Sequence, residues 1–431
     1  MKRSPMELAA IATAAVPGLA PTGVAGVPDG GDDFDSVLIV DAQKNRWRVR
    51  SPRHEEASMR LEAELTALRT FSPNLRASLP FQLPSVAGTV RQGSLRTFVY
   101  HHLPGGYYDL DSLVGLGSKT AADIGTVMAA IHALPDTVVE RSDLPTYTAD
   151  LIRQRRLNEL DQSATTGMIP SRLLRRWEHA LEDVALWRFN TTVVHGDLHE
   201  DQLLLEDGKV VAVTGWTDLH VGDPADDFAW LAAVSDQSFA DTALEAYVRV
   251  RGDKADPHIM RRAALAAEFA LAQWLAKAIG SGDPARIAEA KGMLTDLDED
   301  IAEHGGQPIS VVEPPRPPRT EAPTMRAAEP AAAPQPALEP QDEDEPEDEA
   351  DEPTPQPVPV KPVALVDPGP ATDAIPLIRR ALQSESTADD RDTAVDAEPS
   401  TSAIPLLEAK RLAEEPPEAK GTDSDEGPQP A

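Results

Sequence analysis

The chain has 431 residues, no cysteine, 40 prolines and a formal net charge of −32. The absence of cysteine excludes a disulfide framework, a thiolate-ligated metal centre and a thiol nucleophile. A pI near 4.6 argues against nucleic acid as a partner, because neutralising phosphates needs clustered Lys and Arg. No apolar run approaches the ~18 residues that a membrane span needs.

The composition changes sharply near residue 304. All 19 aromatic residues lie before that point, the last of them being Trp274. Residues 305–431 hold 25 of the 40 prolines and carry 28 acidic against 10 basic side chains. A segment of this composition cannot bury enough apolar surface to fold. We therefore expect a folded part followed by a disordered acidic tail over 305–431.

The elements before residue 101 predict a small β-rich lobe. A short helix is expected at Leu8–Val16, before a loop rich in Gly and Asp. The apolar runs at 37–40 and 47–50 flank a polar turn, which predicts an antiparallel hairpin. Apolar residues at helical spacing predict a helix over 59–68, and residues 95–103 have the pattern of a strand.

Helical patterns dominate after the first lobe. Six segments carry apolar residues at helical spacing, namely 121–134, 151–160, 173–187, 242–249, 260–279 and 284–303. Between the third and the fourth of them, a strand over 192–194 precedes His195-Gly196-Asp197-Leu198-His199. The fold class is therefore α+β, with a β-rich lobe over 1–100 and a helical lobe over 101–304.

A hairpin is also expected where Asp207-Gly208 separates two apolar runs, since this dipeptide is a strong signal for a two-residue turn. The numbers of paired residues then sum to 415, which places 202 opposite 213 and 200 opposite 215. In this register positions 202 and 215 lie side by side at the open end of the hairpin, just after Asp197.

The motifs around this hairpin resemble those of the aminoglycoside and macrolide phosphotransferases. Three blocks carry the resemblance in order, namely 195–199, 213–216 and 222–229. Ala129–Pro135 is similar to the family's helix before the catalytic loop, and Trp216-Thr217-Asp218 resembles the macrolide branch. The resemblance covers roughly residues 5–300. It implies a protein-kinase-like two-lobed fold and phosphoryl transfer from ATP or GTP, with Mg²⁺, to a hydroxyl of a small molecule.

The resemblance also implies roles for individual residues. Asp197 takes the position of the base that orients the acceptor hydroxyl. Arg50 falls where the family has its phosphate-contacting Lys or Arg, and Glu64 or Glu62 is expected to pair with it. An ordinary surface ion pair, which contributes little to stability, is the alternative interpretation of Arg50 and these glutamates.

The remaining positions are structural or contact the nucleotide base. Tyr100-His101-His102-Leu103 corresponds to the segment between the lobes, whose backbone contacts adenine. His195 and His199 are expected to be structural, and Asp223 is expected to anchor the catalytic loop. A metal triad of His195, Asp197 and His199 is disfavoured, because Gly196 after a strand makes this segment a loop and not a helix.

Two positions depart from the family pattern. Gln202 stands where the family has Asn, and Gly215 stands where it has the metal-binding Asp. Gln keeps an amide oxygen but is one methylene longer, whereas Gly215 removes the carboxylate that Mg²⁺ prefers as a ligand. Asp218 is the alternative source of a carboxylate. The macrolide branch carries that Asp in addition to the metal ligand, so the resemblance argues against a replacement.

Four aspartates stand where the family's phosphate-binding loop is expected, namely Asp29, Asp32, Asp33 and Asp35. Carboxylates that face a triphosphate repel it; alternatively, these side chains are solvated and point away.

The sequence leaves two hypotheses for the function. One hypothesis is an impaired phosphotransferase, a pseudokinase that binds a small-molecule ligand or a protein partner and needs no cofactor. The other is an active macrolide- or aminoglycoside-type phosphotransferase that uses ATP or GTP with Mg²⁺.

The tail contains one internal repeat. Ala374-Ile375-Pro376-Leu377-Ile378 recurs 29 residues later as Ala403-Ile404-Pro405-Leu406-Leu407. This is either low-complexity drift or a repeated docking motif, which would bind a protein partner through 372–382 and 401–412.

Arg outnumbers Lys by 30 to 10, and together with abundant Ala and Pro this indicates a high-GC bacterium and a cytoplasmic protein.

Overall fold

The structure is a computed structural model that describes residues 2–27, 29 and 33–312. The sequence predicts a disordered tail from residue 305, but residues 305–312 are described and Ile309 is buried in the main hydrophobic core, so the predicted boundary is wrong. The rest of the predicted tail, with both expected docking segments, lies outside the described residues, and so does Asp32. The two predicted lobes are recognisable from the order of the elements, since strands dominate up to His101 and helices follow.

The N-terminal part is built on a five-stranded antiparallel sheet in the order β1-β2-β3-β5-β4. Its strands are β1 (Pro21–Gly26), β2 (Phe34–Asp41), β3 (Arg46–Pro52), β4 (Val86–Gln92) and β5 (Leu95–His101). The predicted hairpin is therefore confirmed as β2 and β3, with Val37 paired to Val49. Because alternate residues of a strand face the same side, Arg48 and Arg50 project from one face of β3.

Two helices accompany this sheet. Helix α1 (Pro5–Ala15) begins with a capping box between Ser4 and Glu7, and it buries Leu8 against the sheet. Helix α2 (Glu55–Thr70) is longer at both ends than predicted, since the His54 side chain caps it by accepting a hydrogen bond from an amide of the first turn. Leu61 of α2 packs against Phe98 of β5.

The rest of the described chain is mainly helical. Its α-helices are α3 (Pro73–Ser78), α4 (Leu110–Gly115), α5 (Ser118–Ile131), α6 (Thr137–Glu140), α7 (Ala149–Thr165), α8 (Ser171–Glu182), α9 (Ala229–Ala232), α10 (Gln237–Arg251), α11 (Ile259–Ser281) and α12 (Pro284–His304). Their largest cluster of buried side chains includes Trp177, Trp216 and Trp230. Among the described helices, none is both long and apolar enough to cross a bilayer.

Two small antiparallel pairs carry the motifs that the sequence singled out. Strand β6 (Thr192–Val194) pairs with β9 (His220–Gly222), and β7 (Leu203–Glu206) pairs with β8 (Lys209–Val213). One-turn helical segments at Glu200–Gln202 and Trp216–Asp218 flank the β7–β8 hairpin on its open side.

The predicted register of this hairpin holds only near its turn. Glu206 pairs with Lys209 as expected, but a bulge then shifts the pairing, so that residue 203 and not 202 lies opposite Val213. The extra residue is Val211, whose carbonyl accepts a hydrogen bond of 2.8 Å from the amide of Gln82. The bulge therefore lets β8 bond to a second segment of chain.

Position 202 remains next to position 215 despite the shift. The amide of Thr214 donates to the carbonyl of Gln202 at 2.9 Å, and Gly215 follows directly. The open end of the hairpin thus brings together the two positions at which this sequence departs from the family pattern.

Candidate functional site

The catalytic loop follows β6 and requires glycine at position 196. Gly196 has a φ of +87°, and a Cβ there would collide with the backbone carbonyl of Asp218. The turn that Gly196 permits carries the chain from the buried strand to Asp197, whose side chain is mostly buried. Asp197 therefore lies in a rigid loop between β6 and the β7–β8 hairpin.

Asp227 anchors this loop. Its carboxylate accepts hydrogen bonds from the amides of His195 at 2.9 Å and Gly196 at 2.8 Å. His132 Nε2 lies 3.0 Å from the same carboxylate, and His132 Nδ1 lies 2.9 Å from the hydroxyl of Tyr247. Burial alone would raise the pKa of Asp227, but His132 and the hydrogen bonds outweigh burial and lower it.

Asp223 has a different role from the one the sequence suggested. Its carboxylate accepts hydrogen bonds from Arg262 Nε at 2.7 Å and from a terminal nitrogen of the same guanidinium at 3.1 Å. Both side chains are buried. Asp223 therefore ties helix α11 to the end of β9, and the anchoring of the catalytic loop belongs to Asp227. Two aspartates four residues apart fit the motif equally well, and only the fold distinguishes them.

His195 is held as a neutral imidazole. Its Nε2 lies 2.7 Å from the carbonyl oxygen of Thr214, which can only accept, so Nε2 carries the proton. Its Nδ1 is then the acceptor for the amide of Asp197 at 3.4 Å. Burial lowers the pKa of His195. The imidazole consequently links the catalytic loop to the end of β8.

The two metal-ligand positions of the family are occupied by Gln202 and Gly215. Gly215 has a φ of +76°, and a Cβ placed on it would lie 2.7 Å from Nε2 of Gln202 and closer still to its Oε1 and Cδ. The Gln202 Oε1 accepts a hydrogen bond of 3.0 Å from the hydroxyl of Thr214. Its Nε2 lies 3.3 Å from Nε2 of His199. The amide of Gln202 therefore occupies the space beside Gly215, and a side chain at position 215 would require this amide to rotate away.

These residues do not fit the Mg²⁺ that the family resemblance implies. A hard divalent cation prefers carboxylate oxygens, and here a neutral amide stands beside a glycine. His199, which contacts that amide, also lies 3.8 Å from the carboxylate of Glu200. Within residues 2–27, 29 and 33–312, no group of three or more His, Asp or Glu side chains is arranged to hold a metal ion.

Arg50 has two acidic partners. Its Nε and a terminal nitrogen donate to the two carboxylate oxygens of Asp29 at 2.8 and 3.0 Å. Its other terminal nitrogen lies 3.9 Å from Glu64, which in turn accepts a hydrogen bond of 2.9 Å from the Tyr100 hydroxyl. Burial would lower the pKa of Arg50, but these carboxylates raise it. Glu64 is thus the helix residue facing Arg50, whereas Glu62 lies 3.7 Å from Arg96.

The described aspartates of the predicted phosphate loop are neutralised by basic side chains. Asp33 lies 3.0 Å from His54, and Asp35 accepts hydrogen bonds of 2.9 and 3.0 Å from Arg53. With Asp29 on Arg50, three of the four aspartates therefore pair with the sheet or with the residues that follow it. Asp29 and Asp35 are largely buried in these pairs and match neither alternative drawn from the sequence, whereas the Asp33 side chain is 40% exposed, as the solvated alternative expects.

His101 and His102 lie at the end of β5, where their amides are already used. The amide of His101 donates to Ser85 at 2.9 Å, and the amide of His102 donates to the carbonyl of Arg46 at 3.1 Å. The His101 ring packs on Trp47 with centroids 4.7 Å apart. A purine edge at this position would therefore not find a free backbone amide on either histidine.

The chain is similar in sequence and in fold to known proteins. The sequence profile of the Phosphotransferase enzyme family matches residues 26–263. The chain belongs to this family. The uncharacterized protein YcbJ of Bacillus subtilis (strain 168) is 26% identical over 237 residues, which is 52% of this chain and 74% of that protein.

Solved structures share the protein-kinase-like fold of the phosphotransferase family. The macrolide 2'-phosphotransferase MphH of Brachybacterium faecium, an apoenzyme, is 23% identical, with a TM-score of 0.57, over 67% of this chain and 97% of that one. A type I macrolide 2'-phosphotransferase is 25% identical, with a TM-score of 0.56, over 67% and 96%. The GDP complex of wild-type aminoglycoside 2'-phosphotransferase-IIIa is 15% identical, with a TM-score of 0.57, over 70% and 99%.

Buried histidines near the catalytic loop of this phosphotransferase-family protein make its stability depend on pH. Burial lowers the pKa of His195 and of His220, whose Nδ1 lies 2.7 Å from the carbonyl of Asp218. The unfolded chain therefore binds more protons than the folded one below about pH 6.5, the ordinary histidine value. The stability that these two histidines contribute is complete above that pH and is lost as the pH falls toward their lower pKa values in the folded state.

We expect these two histidines to lower the free energy of unfolding, measured by urea titration, as the pH falls below 6.5. Asp226, whose pKa burial raises to about 7, contributes a slope of the opposite sign over the same range, so the histidine contribution is read from the difference between a variant and the wild type. Each such histidine contributes a slope of up to about 1.4 kcal/mol per pH unit. His195→Gln should change the slope of unfolding free energy against pH between pH 6.5 and 5 by about the contribution of one histidine. His304→Gln, which replaces an exposed histidine at the end of α12, is the control. An unchanged slope in His195→Gln would contradict this account.

Proposed function

We propose that this chain is a phosphotransferase-family protein in which metal-dependent phosphoryl transfer is impaired, and that its site serves as a ligand-binding module. The observation that carries this proposal is the position of the Gln202 amide, which fills the space beside Gly215. Phosphoryl transfer from a triphosphate relies on metal ions that neutralise the charge developing on the phosphates. A glycine and a neutral amide supply no carboxylate at this position.

The two departures from the family pattern fit each other. Gln202 is one methylene longer than the Asn that the family carries, and this extra length brings its amide over Gly215. A residue with a side chain at 215 would meet both the amide and the cost of a positive φ, about 1–2 kcal/mol for a non-glycine residue. Gln202 and Gly215 therefore support a site in which two positions changed together, and not a site that lost one metal ligand.

The ligand class follows from the family. We infer that the site binds a purine nucleoside phosphate such as ATP or GTP, because the fold is shared with a protein solved as a GDP complex. A small-molecule hydroxyl compound is the second ligand class, suggested by the 25% identity to a macrolide 2'-phosphotransferase. Arg50, close to Glu64 as the resemblance implies, would contact the phosphates.

An active phosphotransferase is the second candidate, and one observation favours it. Gly196 and the hydrogen bonds of Asp227 hold the loop of Asp197 in a defined geometry. A base that orients an acceptor hydroxyl needs such positioning. In that case the wild-type chain would transfer phosphate to a hydroxyl acceptor with Mg²⁺, and Asp197→Ala would abolish this turnover without lowering the melting temperature.

The proposal predicts that a metal site is restored when both positions are changed to the family residues. We expect ATP to bind wild type and Gln202→Asn with dissociation constants that change less than about twofold when Mg²⁺ replaces EDTA, because neither has a carboxylate at position 215. In the double variant Gly215→Asp/Gln202→Asn, the shorter amide makes room for the carboxylate. Mg²⁺ should then tighten ATP binding at least tenfold, about 1.4 kcal/mol, in isothermal titration calorimetry.

The matched control is Gly215→Asn/Gln202→Asn, which has the same shape and lacks the charge. It should show no dependence on Mg²⁺. Tenfold tighter binding with Mg²⁺ in the wild type would contradict the proposal. So would a double variant that is folded, as judged by its melting temperature, but gains nothing from the metal.

We further propose that the tail segments 372–382 and 401–412 dock on a protein partner in the cytoplasm. The support is the repeated Ala-Ile-Pro-Leu sequence, because a recurring apolar motif in a polar tail is typical of groove binding. Deleting 372–412 should abolish capture of a partner that the full chain retains in a pull-down. A deletion of equal length within 313–353 is the control, and retention of every partner after deleting 372–412 would contradict the proposal.

A further inference from the structure

The contact between Asp29 and Arg50 is not explained by the family resemblance, which implies only the Glu64 partner of Arg50. Asp29 follows β1, and its carboxylate is only 8% exposed. It accepts two hydrogen bonds from Arg50 and one from the hydroxyl of Ser36, and a terminal nitrogen of Arg48 lies 3.7 Å away. Each polar neighbour recorded for this carboxylate is therefore a donor.

The geometry of this contact is that of an anion in an arginine site. A planar guanidinium presents parallel N–H donors that match the oxygens of a carboxylate or of a phosphate in the same way. Here both donors on one edge of Arg50 point at Asp29, while Glu64 lies at the longer distance of 3.9 Å. A phosphate oxygen that contacts Arg50 through this edge would need the position that the Asp29 carboxylate holds.

The charges of the cluster already balance. Arg48 and Arg50 contribute two positive charges, and Asp29 and Glu64 contribute two negative ones. Burial would raise the pKa of Asp29, but the two arginines lower it below its usual value, so the carboxylate stays ionised. With Asp29 in place, the cluster has no net positive charge to offer a phosphate.

We propose that Asp29 is the resident anion of the phosphate position formed by Arg48 and Arg50, so that a phosphate-bearing ligand binds only by displacing the Asp29 carboxylate. This inference rests on the proposed function for the identity of the position as a phosphate site, but it is independent of the metal ligands. Only the small fraction of molecules in which Asp29 has left Arg50 can then bind a phosphate, so the apparent affinity for phosphate is lowered in proportion to that fraction. The Asp29 carboxylate therefore competes with a phosphate for Arg50.

The test uses the full chain in EDTA, with inorganic tripolyphosphate as the probe and calorimetry as the measurement. Asp29→Asn removes the competing charge and keeps the shape of the side chain. Its dissociation constant for tripolyphosphate should be at least tenfold lower than that of the wild type. Adding Arg50→Ala to Asp29→Asn should remove the gain, because the gain requires the vacated guanidinium.

Asp33→Asn is the matched control. It removes one negative charge from the same loop, and Asp33 lies near His54 and Arg60 and not near Arg50. Its dissociation constant should stay within twofold of the wild-type value. An equal gain in Asp33→Asn would show a general effect of net charge, and it would overturn the proposal.

A second variant covers a loss of folding in Asp29→Asn. Ser36→Ala removes one hydrogen bond from the Asp29 carboxylate without changing any charge, and should tighten tripolyphosphate binding two- to threefold. Equal affinities for the wild type and the folded Asp29→Asn variant, or no binding in any variant, would overturn the inference. Since these titrations contain no divalent metal, their outcome is separate from that of the metal-restoration experiment.

Discussion

The buried carboxylate of Asp227 is the interaction on which the candidate site depends. It accepts hydrogen bonds from the backbone amides of His195 and Gly196 in the catalytic loop, and it also pairs with His132 of the helical part. Removing one partner of such a buried network leaves uncompensated donors, which costs about 1–3 kcal/mol for each unsatisfied group. The position of Asp197 is therefore set by the helical core together with the turn that Gly196 permits.

In the proposed function, two positions at which the family resemblance implies contacts to the nucleotide are taken by the protein's own side chains. At the metal position the Gln202 amide lies over Gly215, and at the phosphate position the carboxylate of Asp29 lies on Arg50. Both substitutes are polar groups with their hydrogen bonds satisfied inside the protein. These two contacts are the basis of the proposal that the site binds a ligand and does not transfer phosphate, whereas the preserved anchor of the Asp197 loop is the observation that favours the alternative of an active enzyme.

The fold was predictable because its signals are local and periodic. Both hairpins were predicted from apolar runs on either side of a polar turn, a signal that needs only neighbouring residues. The bulge at Val211 and the choice of Asp227 over Asp223 could not be predicted, because each depends on a partner far away in sequence. The same limit applies to Asp29, since charge composition indicates repulsion of phosphate but not which arginine the carboxylate reaches.

The most direct test of the account is a crystal structure of the wild-type chain grown with ADP and Mn²⁺, read by anomalous scattering at the manganese edge. We predict no anomalous peak within coordination distance of Gln202, because its amide oxygen is bonded to Thr214 and position 215 supplies no ligand. A manganese ion bound to the Gln202 oxygen, or to the carboxylate of Asp218 in place of the missing ligand, would contradict the account. In that case the metal site would be remodelled and not lost.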